Sequence, residues 1–181
     1  MQLVILDRHG LINAETADPI GSEHDWQAIP GSLETLARLS GAGYRLVVAS
    51  NEPGPQRKQF DIEALLSIHH RIQHDLQEVG GSLDAVFFCS CPPKGECDCM
   101  MPNPGMLNEI GERLRTSLDG IPVISSRMAT IEAARAAGAR PILVSGGGDQ
   151  DGEGGASVDD IECYDDLAAA VDSLLAETAQ V

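Results

Sequence analysis

Aromatic side chains are scarce in this chain. One Trp, two Tyr and three Phe make up 3% of 181 residues, so any interior must be aliphatic. Basic residues are scarce too: 12 Lys and Arg face 28 Asp and Glu, for a formal net charge of -16. A surface of that sign repels nucleic acid and acidic membranes, which argues against either as a partner. It also makes an anionic substrate hard to attract unless a local cation sits in the site. No apolar run approaches a membrane span, and no signal peptide precedes the first strand, so a cytosolic protein is expected. What is present suits a globular fold: 43% hydrophobic and 22% charged residues. The length fits one domain, residues 1–181, expected to be monomeric.

The apolar pattern alternates strands with helices. Gln2-Leu3-Val4-Ile5-Leu6 reads as a buried strand, residues 14–31 with Trp26 as a loop, and Ser32 as the cap of a helix through about Ser40. A second strand covers 45–50. Asp61 caps a long helix whose Ile62, Leu65, Leu66, Ile72, Leu76 and Val79 recur at helical spacing. A third strand, 85–88, leads into a cysteine cluster, and Pro104 opens another helix at its first position. Strands at 122–125 and 141–144 bracket a short helix from Ala129 to Ala137. Residues 145–159 hold six glycines and four acids and read as a mobile loop, and a helix over 167–175 closes the chain. This order predicts an α/β fold: one doubly wound parallel sheet with helices on both faces.

Two stretches carry chemistry. The first strand ends in Asp7-Arg8-His9-Gly10, which delivers Asp7 to the carboxyl edge of the sheet, where open α/β folds place their ligands. A carboxylate held there can attack phosphorus and form an aspartyl-phosphate; otherwise Asp7 simply closes a strand-to-loop turn. The second stretch is the loop 89–99, where Cys89-Ser90-Cys91 and Cys97-Asp98-Cys99 form two thiolate pairs within eleven positions. In a reducing cytosol that spacing points to a structural, tetrahedral Zn²⁺ site, with an iron–sulfur cluster as the other occupant such ligands allow. Cys163 stands apart and is expected to serve packing. His70 and His74 are expected to be solvated, and no ligand role falls to them or to His69.

With these motifs in hand the chain resembles the haloacid dehalogenase (HAD) superfamily. Within it, the resemblance is to the phosphatases that act on heptose bisphosphate in the pathway to lipopolysaccharide heptose. It runs from residue 2 to about residue 144 and resumes in the last helix. Leu6-Asp7-Arg8-His9-Gly10 with Asn13 answers the nucleophile turn, and Val47-Val48-Ala49-Ser50-Asn51 the second motif, whose Ser and Asn hold the phosphoryl group. Gly54, Arg57 and Phe60-Asp61 keep step beyond it. Cys97-Asp98-Cys99, Pro102 and Pro104-Gly105-Met106 answer the zinc loop and third motif. The family's loop uses three Cys and a His; Cys91 stands in the place of that His. The resemblance implies a Rossmann-like HAD core without a large cap. It further implies Asp7 as nucleophile, Ser50, Asn51 and Arg57 against substrate, Cys89, Cys91, Cys97 and Cys99 on zinc, a Mg²⁺ cofactor and a small phosphorylated sugar.

Several positions depart from that pattern: most exchange an ionic group for a neutral one, and Glu52 adds an anion. His9 replaces the second aspartate, the general acid/base. Met100-Met101 replace an Arg-Lys pair that neutralises phosphate. Ser125-Ser126 and Thr130 replace Gly-Asp and the further Asp that bind Mg²⁺, Glu52 replaces a neutral Gln, and Ser145 an arginine. Phosphoryl transfer rests on positioning and charge, and removing one preorganised contact costs about 3–4 kcal/mol. The expected outcome is a family scaffold that is inactive or strongly impaired. Two other readings compete. One is an active phosphohydrolase through Asp7 with His9 as acid/base; the other is a non-catalytic binding or regulatory protein that uses the old pocket for a neutral ligand or a partner protein. The expected small-molecule partner is a phosphorylated sugar or none.

Overall fold

The computed structural model describes residues 2–14, 20–52, 61–92, 97–145 and 161–179. Their strands form one six-stranded sheet in the order β3-β2-β1-β4-β5-β6, with β1 at Gln2–Leu6, β2 at Tyr44–Asn51 and β3 at Ala85–Cys89. The other half holds β4 at Pro122–Ser125, β5 at Arg140–Val144 and β6 at Glu162–Tyr164. Every pairing is parallel. The helices are α1 (Ser32–Gly41), α2 (Ile62–Glu78), α3 (Gly105–Leu114), α4 (Met128–Ala136) and α5 (Leu167–Thr178). None of them is long and apolar enough to cross a membrane.

Period-two alternation along β1 builds two cores. Val4 and Leu6 join Leu46 and Val48 beneath α1, α2 and α5, while Leu3 and Ile5 join Val47 and Ala49 against α3 and α4. Burying both faces explains why β1 is an unbroken apolar run. The chain leaves β1 toward β2 on one side and later returns to β4 on the other. The order therefore reverses at β1, the position that favours a ligand crevice at the carboxyl edge. Register places Leu6 level with Val48 and Ile124, so Asp7, Ser50 and Ser125 emerge close together.

Asp61 caps α2 as expected, its carboxylate accepting the Ala64 N–H at 2.8 Å. Other expectations need correction. Gly31, at φ 82°, occupies the α1 cap, and the Ser32 hydroxyl instead donates to the Ile12 carbonyl at 3.0 Å, tying the helix to the turn after β1. Pro104 is the cap of α3 rather than its first residue. The buried stripe of α2 is Leu65, Ile68, His69, Ile72 and Leu76; Ile62, Leu66 and Val79 face outward. Cys163 is exposed rather than packed, on the edge strand β6. That strand was not expected, because three residues carry too short a pattern to read. Trp26 and Ile20 are buried against the first core, so the irregular segment around them is packed. Residues 146–160, most of the glycine- and acid-rich stretch, lie outside the described residues, as do Gly54, Arg57 and Phe60.

Candidate active site

The turn after β1 is wound around one carbonyl. The Arg8 C=O accepts the Ile12 and Asn13 N–H groups at 2.9 and 3.2 Å, and Gly10 closes the turn at φ 70°, a left-handed conformation that suits glycine. The Asp7 N–H still donates to Ile124 at 3.0 Å, so the turn begins while β1 is pinned to β4.

Asp7 is fully buried, and each of its carboxylate oxygens is engaged. Oδ1 accepts the Arg8 backbone N–H at 2.7 Å; Oδ2 accepts the Ser125 hydroxyl at 2.9 Å and the Thr130 hydroxyl at 2.8 Å. Thr130, from the first turn of α4, thus directs an O–H at the carboxylate. The Ser126 hydroxyl donates to the His9 carbonyl at a long 3.4 Å. The donor set around Asp7 is neutral: two hydroxyls and an amide.

Beside it lies a buried charged network. Arg8 is 1% exposed; its Nη2 donates to Glu52 Oε2 at 2.9 Å and lies 2.8 Å from His9 Nε2. Glu52, 2% exposed, also accepts the Ser50 hydroxyl at 2.7 Å on Oε1, the atom that sits 3.2 Å from His9 Nε2. A single imidazole nitrogen therefore faces both a donor and an acceptor, and its one site can serve only one of them at a time. Burial alone would push the Glu52 carboxyl up, but the His9 hydrogen bond, the Arg8 charge and the Ser50 hydroxyl outweigh it and hold the group below its usual value. Burial pulls the Arg8 guanidinium down, opposed by Glu52 and Asp7, and among the described residues its Nε and Nη1 have no hydrogen-bond partner. His69 packs its ring 5.4 Å from Phe88; burial first, then the nearby Arg8 charge, lowers its pKa to about 4.

Asn51 turns away from this network. Its amide holds Met101 by both main-chain groups, Nδ2 donating to the carbonyl at 2.9 Å and Oδ1 accepting the N–H at 3.0 Å. Met101 is 3% exposed within the second core, so the side chain where the family resemblance expects a lysine fills apolar space.

The four clustered cysteines converge, their sulfurs all within 4.8 Å of one another. Cys89–Cys97, Cys91–Cys99 and Cys97–Cys99 are 3.7, 3.6 and 3.7 Å apart, while Cys89 and Cys99 stand in disulfide contact. Zn–S bonds of about 2.3 Å set the sulfurs of a tetrahedral shell about 3.8 Å apart, so three of these separations match it. A cystine bridge alone would not gather Cys91 and Cys97 against the same pair. Reduced, the donor set fits zinc.

The structure sets Asp7 at the sheet edge, joins His9 and Ser50 through Glu52, holds Asn51 on Met101 and gathers the four cysteines; Arg57 is outside the described residues. Two contributors were not assigned roles from the sequence, Arg8 and His69. The signal for His69 was its spacing, four residues after Leu65 and three before Ile72, on the buried stripe. Arg8 was readable only as the base that two acids at adjacent strand ends require.

No family model matches the chain. It is 38% identical to the D-glycero-beta-D-manno-heptose-1,7-bisphosphate 7-phosphatase of Pseudomonas aeruginosa over 173 residues, covering 96% of this chain and 97% of that one. To the enzyme of the same name from Bordetella bronchiseptica it is 36% identical over 178 residues, 98% and 99% of the two chains. The crystal structure of D,D-heptose 1,7-bisphosphate phosphatase from B. bronchiseptica, complexed with magnesium and phosphate, superposes with a TM-score of 0.92 over 98% of this chain and 99% of that one, at 36% identity. The Burkholderia thailandensis counterpart gives 0.73 at 36% identity, over 97% and 99%. Identity at this level over nearly the whole length, with a fold that superposes on a solved member, makes the chain a member of the heptose-1,7-bisphosphate 7-phosphatase family of HAD-like phosphatases.

Proposed function

We propose that this chain keeps the phosphatase scaffold of its family but has lost, or strongly weakened, magnesium-dependent hydrolysis. The observation that carries this reading is the neutral shell of Asp7. Magnesium requires hard, anionic oxygen ligands in near-octahedral geometry. Among the described residues one carboxylate is available at this edge, both its oxygens are engaged by an amide and two hydroxyls, and the other candidate positions are Ser126 and Thr130. These residues do not fit the ion, so no step is derived through it. Asp7 remains placed to meet a phosphoryl group, yet without a divalent ion the two anions approach with no metal between them. His9, in the general acid/base position, is tied to Arg8 and Glu52. The four thiolates hold a structural zinc that shapes the Met100–Met101 segment and takes no part in chemistry.

The test is phosphate release from heptose 1,7-bisphosphate with magnesium. Wild type is compared with the combined variant H9D/M101K/S126D/T130D, which returns the missing charges. We expect wild type to run at least about a thousandfold slower, in line with the loss of more than one charge contact. Wild-type turnover at an ordinary enzymatic pace, abolished by D7N, would overturn the reading. Turnover with other divalent metals, abolished by both D7N and H9A, would instead establish the His9-assisted hydrolase.

A further inference from the structure

The donors on the phosphate side of the site converge on a carboxylate that belongs to the chain. The Ser50 hydroxyl at 2.7 Å, Arg8 Nη2 at 2.9 Å and His9 Nε2 at 3.2 Å all reach Glu52, which is 2% exposed. A hydroxyl, a guanidinium and an imidazole around two oxygens of one anion are the groups that would meet the oxygens of a phosphate. Asn51 commits one amide N–H and its carbonyl oxygen to Met101. We propose that Glu52 is a specificity-determining residue of this site: its carboxylate takes the phosphate-side donors for itself and excludes phosphate oxyanions. This assignment rests on reading the pocket as the family's phosphosugar site.

The size of the effect follows from charge. Two unit anions about 4 Å apart at a surface-like effective dielectric repel by an amount equal to on the order of a thousandfold in affinity. The substitution Glu52→Gln removes that charge and keeps an amide oxygen for Ser50. It also takes from the Arg8 guanidinium the carboxylate it is bonded to, leaving the Asp7 charge nearby and, among the described residues, no hydrogen-bond partner for Nε and Nη1. An anion from solution then becomes its natural partner.

The experiment is titration of inorganic phosphate into the zinc-loaded protein by calorimetry and thermal shift, without magnesium. Wild type is expected to show no binding in the low millimolar range. E52Q should bind with an affinity raised at least about a hundredfold, and E52Q/R8M should lose that gain. Submillimolar phosphate binding by wild type overturns the proposal and needs no variant to be folded; so does a folded E52Q that gains nothing. Because no turnover is read, phosphate binding by an inactive wild type sinks this assignment alone. Wild-type hydrolysis at an enzymatic pace sinks it together with the loss of function.

Discussion

Asn51 grips Met101 by both of its backbone groups, at 2.9 and 3.0 Å, and so ties the end of β2 to the segment that follows the cysteine cluster. Asn51→Ala leaves a backbone N–H and C=O beside a buried side chain without partners, and a net loss of about 2–4 kcal/mol is expected for the pair. Asn51→Asp keeps an acceptor but turns an anion toward the Met101 carbonyl and should cost as much or more. Urea unfolding measures both; a change within about 0.5 kcal/mol would show that this clamp contributes nothing.

Thr130 offers a sharper test of how Asp7 is satisfied. Thr130→Val keeps the shape but removes a hydroxyl donated to a buried carboxylate, a charge-assisted bond worth about 1.5–3 kcal/mol. Thr130→Asp sets a second anion against Asp7 and should destabilise the fold in chelator. Millimolar magnesium should then restore part of the loss, since a ligand bound only by the native state raises its melting point. Wild type should show no magnesium-dependent shift, and a clear one would contradict the account of the Asp7 shell.

Gly105 connects the cysteines to α3 by a close approach. A Cβ there would strike the Asp98 backbone, whose carbonyl accepts the Gly105 N–H at 2.9 Å. Gly105→Ala should therefore push Asp98 and its neighbours Cys97 and Cys99 out of line, costing about 1–3 kcal/mol as an overpacking change. Metal content should fall below one zinc per chain, as it should for Cys97→Ser. Stripping the metal from wild type should lower the melting temperature in parallel. Full zinc occupancy in Gly105→Ala would disprove the link.

His69 predicts an acid sensitivity with a defined sign. Its folded pKa of about 4 lies below the usual value of 6.5, so between those limits the unfolded chain takes up a proton that the folded one refuses. Stability contributed by the neutral ring is complete above about pH 6.5 and falls as pH drops toward 4, by up to about 3 kcal/mol. His69→Phe, which keeps an aromatic partner for Phe88, should flatten the stability profile in that window. Glu52 works in the same direction at lower pH, because its carboxyl is held down by His9, Arg8 and Ser50. A wild-type profile already flat from pH 6.5 to 4 would refute the assignment.

Much of the architecture is legible in the sequence because it rests on repeating pattern: apolar runs for buried strands, helical spacing for α2 and α3, Asp61 before Ile62. The misreadings fall where a pattern was too short or two roles competed. Three residues of β6 carry no period, and Ser32 resembles a cap but bonds to Ile12 because Gly31 already supplies the entry turn. In the site, the losses of charge were visible residue by residue. Their mutual compensation was not. That Ser125 and Thr130 turn toward Asp7, and that Arg8 is consumed by Glu52, depends on distances between segments 44 to 123 residues apart, which only the folded chain reveals.

The position of β1 between β2 and β4 has a consequence for motion. Amides in the innermost strands of a parallel sheet exchange with solvent deuterium only when the whole molecule opens, whereas peripheral segments exchange through local fluctuations. Because Asp7, Ser50 and Ser125 hang directly from these innermost strands, the chemical edge of the protein inherits their slow breathing. Whatever enters or leaves this crevice must do so past the segments that frame it, while the floor stays still.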